Sequence, residues 1–256
     1  MNLNFDDTII KNYHSNSQKA RVLTENWMAN NMFCPHCGAS RILHFNNNQP
    51  VADFYCPICN NEYELKSKTG KIGKKITDGA YDTMIQRITS NRNPDFFLMN
   101  YSKEENVIND LFLIPKHFFV PRIIEKRKPL SDTARRAGWV GCNILLTEIP
   151  TQGRISIIHN RVANNPSNVM QQVKKSNLLI TNDISARGWL FDILLCVNKI
   201  PMVEFSLSDV YLFENELLLK HPKNNNIRPK IRQQLQELRN RNIIEFLGHG
   251  MYKKIL

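Results

Sequence analysis

The sequence predicts an α/β fold with a mixed central sheet, followed by a smaller helical domain. Three observations indicate this fold class. Over residues 1–182, short apolar segments of strand character alternate with helical patterns, as expected for helices packed on a sheet. Over residues 183–256 the pattern changes to helices followed by two short apolar segments. Two pairs of closely spaced cysteines lie inside the first part, and their spacing is typical of a metal site embedded in that part.

The elements of the first part follow in order along the chain. The segment from Ser15 to Ser17 supplies N-cap candidates for a helix whose apolar residues recur at helical spacing. Strands are predicted at 51–55 and 61–66, and a lysine-rich loop runs from there to residue 75. Thr77 can cap the next helix, which carries its apolar residues on one face. Buried strands are predicted at 96–101, 111–114 and 155–158.

The second part has the outline of a winged helix-turn-helix. Helices are predicted at 188–197, from about residue 208, and at 227–239. Strands at 243–247 and 251–255 then flank Gly248-His249-Gly250, whose glycines supply the positive φ values of a tight hairpin turn. In a winged helix-turn-helix the third helix enters the major groove of DNA.

Charge composition favours a nucleic-acid partner. The 256 residues contain 34 Lys and Arg against 23 Asp and Glu, a formal net charge of +11. Residues 184–219 hold two basic and five acidic side chains (net −3), whereas 220–256 hold nine basic and two acidic (net +7). The positive charge therefore belongs to the third helix and the wing, where it suits a polyanion.

The third helix presents side chains able to read base edges. Its apolar stripe consists of Ile227, Ile231, Leu235 and Leu238. The outward residues include Arg and Gln, which can bond guanine and adenine bidentately; they are Arg228, Lys230, Arg232, Gln233 and Gln236. The alternative is a merely solvated helix face, but the segregation of charge favours DNA.

No apolar stretch approaches the ~20 residues that a membrane span requires, so a soluble protein is expected. The N-terminal segment carries Asp6 and Asp7 and lacks the apolar run of a secretory signal. A cytoplasmic, reducing compartment follows as an expectation, and it disfavours a disulfide framework.

The two cysteine pairs predict a structural zinc site. Cys34 and Cys37 form the first Cys-x2-Cys pair, and Cys56 and Cys59 form the second, eighteen residues later. Zn²⁺ binds four thiolates tetrahedrally, and such a site leaves no open position for water. The rivals are disulfides and a redox Cys-x-x-Cys, which needs only one pair. Cys142 and Cys196 are expected to be small core residues.

Carboxylates flank the second cysteine pair. On a strand over 61–66 the side-chain period of two places Glu64 and Lys66 on one face, with Glu62 as a solvent-facing neighbour. If the strand at 51–55 is adjacent, Asp53 can face the same side. Two carboxylates form a hard-oxygen site suited to Mg²⁺, and the lysine could orient a water for phosphodiester hydrolysis. This spacing alone is weak evidence, because Glu-Leu-Lys is common on solvated strands.

In context, these residues carry a resemblance. Val51-Ala52-Asp53 with Glu64-Leu65-Lys66 is similar to the PD-(D/E)xK nuclease motif, with the usual proline displaced to Pro50. Together with the cysteine pairs and the winged helix, the whole chain resembles the DpnI family of methyl-directed restriction endonucleases; further matching segments are Asp78-Gly79-Ala80-Tyr81 and Arg135-Arg136-Ala137-Gly138-Trp139.

The resemblance implies a Mg²⁺-dependent endonuclease that cleaves double-stranded G-A-T-C when its adenines carry N6-methyl groups. It implies metal binding by Asp53 and Glu64 and water orientation by Lys66. The expected organisation is a PD-(D/E)xK-like catalytic domain with the zinc site over 1–182 and a winged-helix domain over 183–256, acting as a monomer. The alternative is a non-enzymatic DNA-binding regulator, which would have no reason to present the Asp53, Glu64 and Lys66 face.

Methyl discrimination predicts a reader in each domain. One buried methyl group contributes about 0.8 kcal/mol, roughly fourfold in affinity, which is too little by itself. In the first domain Arg135, Arg136 and Trp139 are candidates, with Trp139 as a core anchor the equal alternative. In the second, the candidates lie on the outer face of the third helix. Trp27 and Trp189 are expected in the core, and the lysines over 68–75 are expected to contact phosphate.

Overall fold

The computed structural model describes residues 1–45, 52–90, 93–181 and 183–255. Its helices are α1 (Asn16–Asn31), α2 (Tyr81–Thr89), α3 (Pro166–Asn177), α4 (Ile184–Lys199), α5 (Leu207–Tyr211), α6 (Glu214–Lys220) and α7 (Ile227–Asn240). Its strands are β1 (Leu43–His44), β2 (Phe54–Tyr55), β3 (Glu62–Thr69), β4 (Lys75–Ala80), β5 (Asp95–Ser102), β6 (Val107–Ile114), β7 (Ile124–Lys126), β8 (Gly141–Leu145), β9 (Ile155–His159), β10 (Val162–Ala163), β11 (Glu204–Ser206), β12 (Ile244–Gly248) and β13 (Met251–Lys254).

The predicted mixed α/β fold is confirmed. Seven strands form one sheet in the order β1-β2-β3-β5-β6-β9-β10, in which β3 and β5 run parallel. A second sheet has the order β4-β8-β7, and the C-terminal sheet has the order β11-β13-β12. The parallel pair needs a crossover connection, and β4 and α2 lie within it.

The large sheet is buried on both faces. Phe97 and Met99 of β5 belong to a core that contains α1 and α3, whereas Phe96 and Leu98 belong to the core on the opposite face. A strand covered on both sides reads as a continuous apolar run, which is the pattern that predicted β5. Trp27 and Trp189 are 3% and 6% exposed, and Cys142 and Cys196 are buried, as predicted.

Two predictions about local structure are wrong. Thr77 does not cap a helix, because it lies within β4, and α2 begins at Tyr81 after an uncapped Ala80. The lysine-rich segment is not one loop: Lys66 and Lys68 lie on β3, and Lys75 begins β4. Both errors arise from strand pairing, which overrides local preference: β4 pairs with β8 through Thr77 and Lys75, and β3 pairs with β5 through Lys66 and Lys68.

The strand predicted at 51–55 is shorter in the structure. Val51, Pro50 and the asparagines 46–48 lie outside the described residues. Within the described part, β2 contains Phe54 and Tyr55, and Asp53 immediately precedes it. β2 pairs with β3 in the antiparallel register Phe54 to Tyr63, so the predicted hairpin is present.

The C-terminal region contains the predicted three-helix and hairpin order with two differences. The second helix is divided into α5 and α6, and an additional strand, β11, pairs with β13. Ser206 and Asp209 form a reciprocal capping box that begins α5 directly after β11. The hairpin of β12 and β13 turns through His249, with positive φ at Gly248 and Gly250.

The C-terminal helices pack against the part of the chain that precedes residue 182 through a shared core. Phe191 of α4 stacks on Phe118, with ring centroids 4.8 Å apart. Lys220 Nζ lies 2.9 Å from Glu148 Oε2, and Arg241 Nη1 donates to the carbonyl oxygens of Leu178 and Ile180 at 2.8 Å. The apolar residues of α4 and α7 therefore form one continuous core with those of the neighbouring sheets.

Candidate active site and nucleic-acid interface

A cleft of about 610 Å³ lies between α1, β3 and β4. Asp53, Glu64 and Lys66 all line it. Thr24 and Glu25 of α1 form part of the opposite wall. The alternation of β3 explains the placement: Tyr63 is buried in the core around α1, whereas Glu64 and Lys66 face the other side. The cleft thus brings together the three residues that the sequence singled out.

Backbone geometry holds Asp53 against β3. Its N–H donates to the carbonyl oxygen of Tyr63 at 2.9 Å, so the hairpin pairing continues one residue beyond β2. Its Oδ2 accepts a hydrogen bond from the backbone N–H of Leu65 at 2.7 Å. The carboxylate is therefore fixed beside the peptide bond between Glu64 and Leu65.

Glu64 and Lys66 form a partly buried charge network with two residues that sequence reasoning did not assign to the site. Lys66 Nζ lies 2.5 Å from Glu64 Oε1 and 2.5 Å from Asp78 Oδ1. Glu64 Oε2 lies 2.8 Å from Arg87 Nη2. Asp78 comes from β4 and Arg87 from α2, both within the crossover between β3 and β5. No local spacing motif connects them to Glu64, so only the Asp78-Gly79-Ala80-Tyr81 segment of the resemblance drew attention to that region.

The network determines the charge of Lys66. Burial alone would lower the pKa of its ammonium group, but the nearby carboxylates of Glu64 and Asp78 hold that pKa above its usual range. Lys66 is therefore a cation throughout the neutral range. An ammonium has three N–H donors, so two carboxylate contacts leave one for a ligand in the cleft.

The four predicted cysteines lie together. Their sulfurs are all within 4.8 Å of one another, with Cys34 Sγ 3.6 Å from Cys59 Sγ and Cys37 Sγ 3.5 Å from Cys56 Sγ. Gly38 and Asn60, which follow the two pairs, have φ values of 78° and 57°. These left-handed conformations let each loop turn away after presenting two sulfurs. The donor set and its spacing suit tetrahedral Zn²⁺ and indicate a structural zinc site.

One thiol of the cluster is activated by its loop. Burial opposes ionisation of Cys56, but the backbone N–H groups of Cys59 and Ile58 point at its sulfur and lower the pKa of Cys56 to about 7. A thiolate is the form that binds metal, so this loop favours metal binding at neutral pH.

Two side chains connect the cysteine cluster to the central sheet. The hydroxyl of buried Tyr63 lies 3.0 Å from Cys34 Sγ. His36 lies between the two cysteines of the first pair, and its Nε2 is 2.6 Å from Oδ2 of Asp95 at the start of β5. Asp95 is fully buried and also accepts from Asn61 Nδ2 at 2.6 Å and from the N–H of Lys116 at 2.7 Å. The cluster is thereby tied to β3, which lines the cleft, and to its parallel neighbour β5.

The outer face of α7 is largely as the sequence predicts. Ile227, Ile231, Leu235 and Leu238 are buried. Of the proposed DNA-facing residues, Arg228, Arg232, Gln233 and Gln236 are exposed and Lys230 is partly exposed. Two of them make hydrogen bonds within the protein: Arg228 Nε donates to Glu214 Oε2 at 2.8 Å, and Arg232 Nη1 donates to the hydroxyl of Tyr211 at 2.7 Å. Contacts from α6 and α5 therefore restrain the guanidinium groups of these two arginines.

The segment containing Arg135, Arg136 and Trp139 is an exposed loop between β7 and β8. Trp139 is absent from the buried core among the described residues and is only half-buried. The guanidinium of Arg136 lies over its ring, 4.6 Å from the centroid. A Cβ added to Gly141 would lie 2.8 Å from that ring, so the indole rests directly on bare backbone. Of the two interpretations of Trp139, the placement does not support the core anchor.

No helix among the described residues is long and apolar enough to cross a membrane.

Comparison with protein-family models gives two matches that together span most of the chain. Residues 1–182 match the DpnI model, described as the Dam-replacing family. Residues 185–254 match the Dam-replacing HTH domain, DpnI_C, which supports DNA binding by the C-terminal helices. A restriction nuclease is the function class that such a pair of domains supports. The chain therefore belongs to the Dam-replacing (DpnI) family.

Proposed function

We propose that this protein is a Mg²⁺-dependent endonuclease that hydrolyses DNA phosphodiester bonds at sites containing N6-methyladenine, with G-m6A-T-C as the preferred sequence. The observation that carries the proposal is the convergence of Asp53, Glu64 and Lys66 on one cleft. A DNA-binding regulator would gain nothing from two carboxylates and an ammonium that line one groove. Family membership supports the same class of activity.

The carboxylates fit a hard divalent cation. Glu64 Oε2 is buried and contacts Arg87 without accepting a hydrogen bond of good geometry, so it retains capacity for a ligand. Asp53 lines the same cleft from the neighbouring chain segment. Asp53 and Glu64 would hold Mg²⁺, which offsets charge that develops on the scissile phosphate. We assign to Lys66 the orientation of the attacking water, because its ammonium is charged and has a donor to spare.

We assign cleavage to residues 1–182 and a second reading of the site to residues 183–256. In the second part, Arg228, Lys230, Arg232 and Gln233 would contact DNA from α7. In the first, Arg135, Arg136 and Trp139 would form the other reader, with the indole of Trp139 against the methyl group. Because one methyl contributes only about 0.8 kcal/mol, two readers on a palindromic site multiply the discrimination.

The test is cleavage of adenine-methylated and unmethylated copies of one plasmid, each with and without Mg²⁺. Fragments are expected only from the methylated copy with the metal present. Binding to both copies without scission under any condition would instead support the non-enzymatic regulator.

A matched pair of substitutions on β3 tests the site itself. Glu64→Gln should abolish cleavage while DNA binding remains, because it removes a proposed metal ligand and a partner of Lys66. Glu62→Gln changes the same charge two residues away on β3, outside the residues that line the cleft, and should cut normally. Asp53→Ala and Lys66→Ala should behave like Glu64→Gln. Equal cleavage by Glu64→Gln and Glu62→Gln would contradict the assignment.

A further inference from the structure

Asp78 lies at an irregularity of β4, and its side chain points toward Lys66. The pairing of β4 with β8 shifts register between Asp78 and Ala80, leaving Gly79 as an extra residue. Such bulges redirect a side chain at the edge of a site. Asp78 Oδ1 accepts from the N–H of Gly79 at 2.7 Å and lies 2.5 Å from Lys66 Nζ. Its side chain is 7% exposed.

Four charged side chains around this point form a chain of ion pairs that runs from Arg87 through Glu64 and Lys66 to Asp78. Glu64 and Lys66 come from one strand, and Asp78 and Arg87 come from the crossover that packs over it. Buried charges are tolerated when each has a partner, and removal of one leaves its partner uncompensated. Asp78 is the anion that balances Lys66 from outside its own strand.

A lysine side chain has a flexible four-carbon stem, so one contact cannot fix its ammonium group. Glu64, two residues away on the same strand, restrains Lys66 from one side. Asp78 supplies a second contact from another sheet and so defines a position for the nitrogen.

We propose that Asp78 is a positioning residue for the nuclease reaction: it anchors the ammonium of Lys66 from β4 and so keeps that group directed into the cleft. This inference rests on the proposed role of Lys66 in hydrolysis. Asp78 need not touch DNA or metal; it acts through Lys66.

The groups that face Lys66 come from several elements. Glu64 is on its own strand, Asp78 is on β4, and Arg87 of α2 lies beyond Glu64. Behind Asp78, burial and the negative charge of that carboxylate raise the pKa of Cys142 on β8 to about 11, so its thiol stays neutral. The position of the ammonium therefore depends mainly on the two carboxylates that it contacts.

The test compares Asp78→Asn with Asp82→Asn in the full-length protein. Asp82 is an exposed carboxylate four residues further on, in the first turn of α2, and it loses the same charge. Cleavage of a methylated plasmid at saturating DNA gives kcat, and its dependence on DNA concentration gives KM. The Kd for the same DNA is measured separately without Mg²⁺, so that a loss of rate can be distinguished from a loss of binding.

For Asp78→Asn we expect a kcat lower by about 100-fold, as a misplacement of about 1 Å can cause, with the KM and the Kd for DNA unchanged. Asp82→Asn should match the unaltered protein in every measurement. Asp78→Glu keeps the charge but displaces it, so its kcat should also fall while the Kd stays unchanged.

The outcomes separate this inference from the proposed function. Equal kcat values for Asp78→Asn and Asp82→Asn overturn the positioning role even if Lys66→Ala is inactive. Full cleavage by Lys66→Ala would instead overturn the proposed function. If Asp78→Asn fails to fold, as thermal unfolding will show, Asp78→Glu decides: a kcat equal to that of the unaltered protein overturns the inference, and a reduced one supports it.

Discussion

The cleft around Lys66 and the outer face of α7 are both rich in charge, but their charges lie in opposite environments. Lys66, Arg87 and Arg228 are all paired with carboxylates, but the side chains of Lys66 and Arg87 are 23% and 19% exposed, whereas that of Arg228 on α7 is 58% exposed. Buried pairs define a geometry and leave little room for change. Exposed charges contribute little to stability and remain available to a polyanion. Substitutions in the first region should therefore alter folding or rate, and those in the second should alter affinity.

The largest effect is expected at the cysteine cluster. Cys37→Ser removes one of four sulfurs that lie within 4.8 Å of one another. Because structural zinc sites contribute roughly 10 kcal/mol of binding energy to folding, we expect loss of bound zinc and a markedly lower Tm. Metal content by mass spectrometry and thermal unfolding measure the two effects.

Cys196→Ala is the control, because Cys196 is buried in α4 away from the cluster. It should retain one zinc ion per chain. Zinc bound equally by both variants, or a chain that folds without zinc, would show that the four cysteines do not form a structural zinc site.

A smaller effect is expected on α7. Arg232→Ala deletes an exposed cation whose guanidinium donates a hydrogen bond to the hydroxyl of Tyr211. Loss of one base or phosphate contact costs about 1–3 kcal/mol, so we expect DNA to bind roughly tenfold or more weakly, with unchanged Tm. The slope of log Kd against log salt should change by about one.

Lys174→Ala provides a comparison of equal charge. Lys174 is exposed on α3 and is not among the proposed DNA contacts. An equal loss of affinity in the two variants would mean that net charge, and not the face of α7, determines binding.

The smallest effect is a pH dependence of stability that arises from one buried imidazole. Burial is the main reason that the pKa of His117 is lowered to about 4, and its Nε2 lies 2.9 Å from the carbonyl oxygen of Ser176. The unfolded chain takes up this proton near pH 6.5, so stability is full above that pH and decreases as the pH falls toward 4. The slope from one proton is at most about 1.4 kcal/mol per pH unit.

His117→Gln should make the free energy of unfolding less dependent on pH between 4 and 6.5, as measured by urea titration at several pH values. His249→Gln, at the exposed tip of the wing, is the control. A slope unchanged by His117→Gln would show that other groups produce the acid sensitivity.

Several features of the site could be predicted from the sequence because they depend on local geometry. Each Cys-x2-Cys pair presents two sulfurs from one loop whatever surrounds it, and Gly38 and Asn60 adopt the left-handed conformations that such loops require. The period of two along β3 places Glu64 and Lys66 on one face without any knowledge of the partner strands.

Other features depend on contacts between segments distant in sequence. Thr77 has the character of a helix cap, yet pairing with β8 makes it part of a strand. Asp78 and Arg87 show no spacing relation to Glu64, and His36 shows none to Asp95 across 59 residues. Trp139 could be a core anchor or a surface ring until its loop is seen to lie outside the core.

The sequence by itself determined the class of fold, the cysteine ligand set, the catalytic candidates and the basic third helix, because each is encoded in the spacing of neighbouring residues. Only the tertiary structure decided which charges balance Lys66 and how the cysteine loops connect to β3 and β5. The reason is physical: a buried charge requires a partner at hydrogen-bond distance, and the crossover between the parallel strands brings those partners to it from elsewhere in the chain.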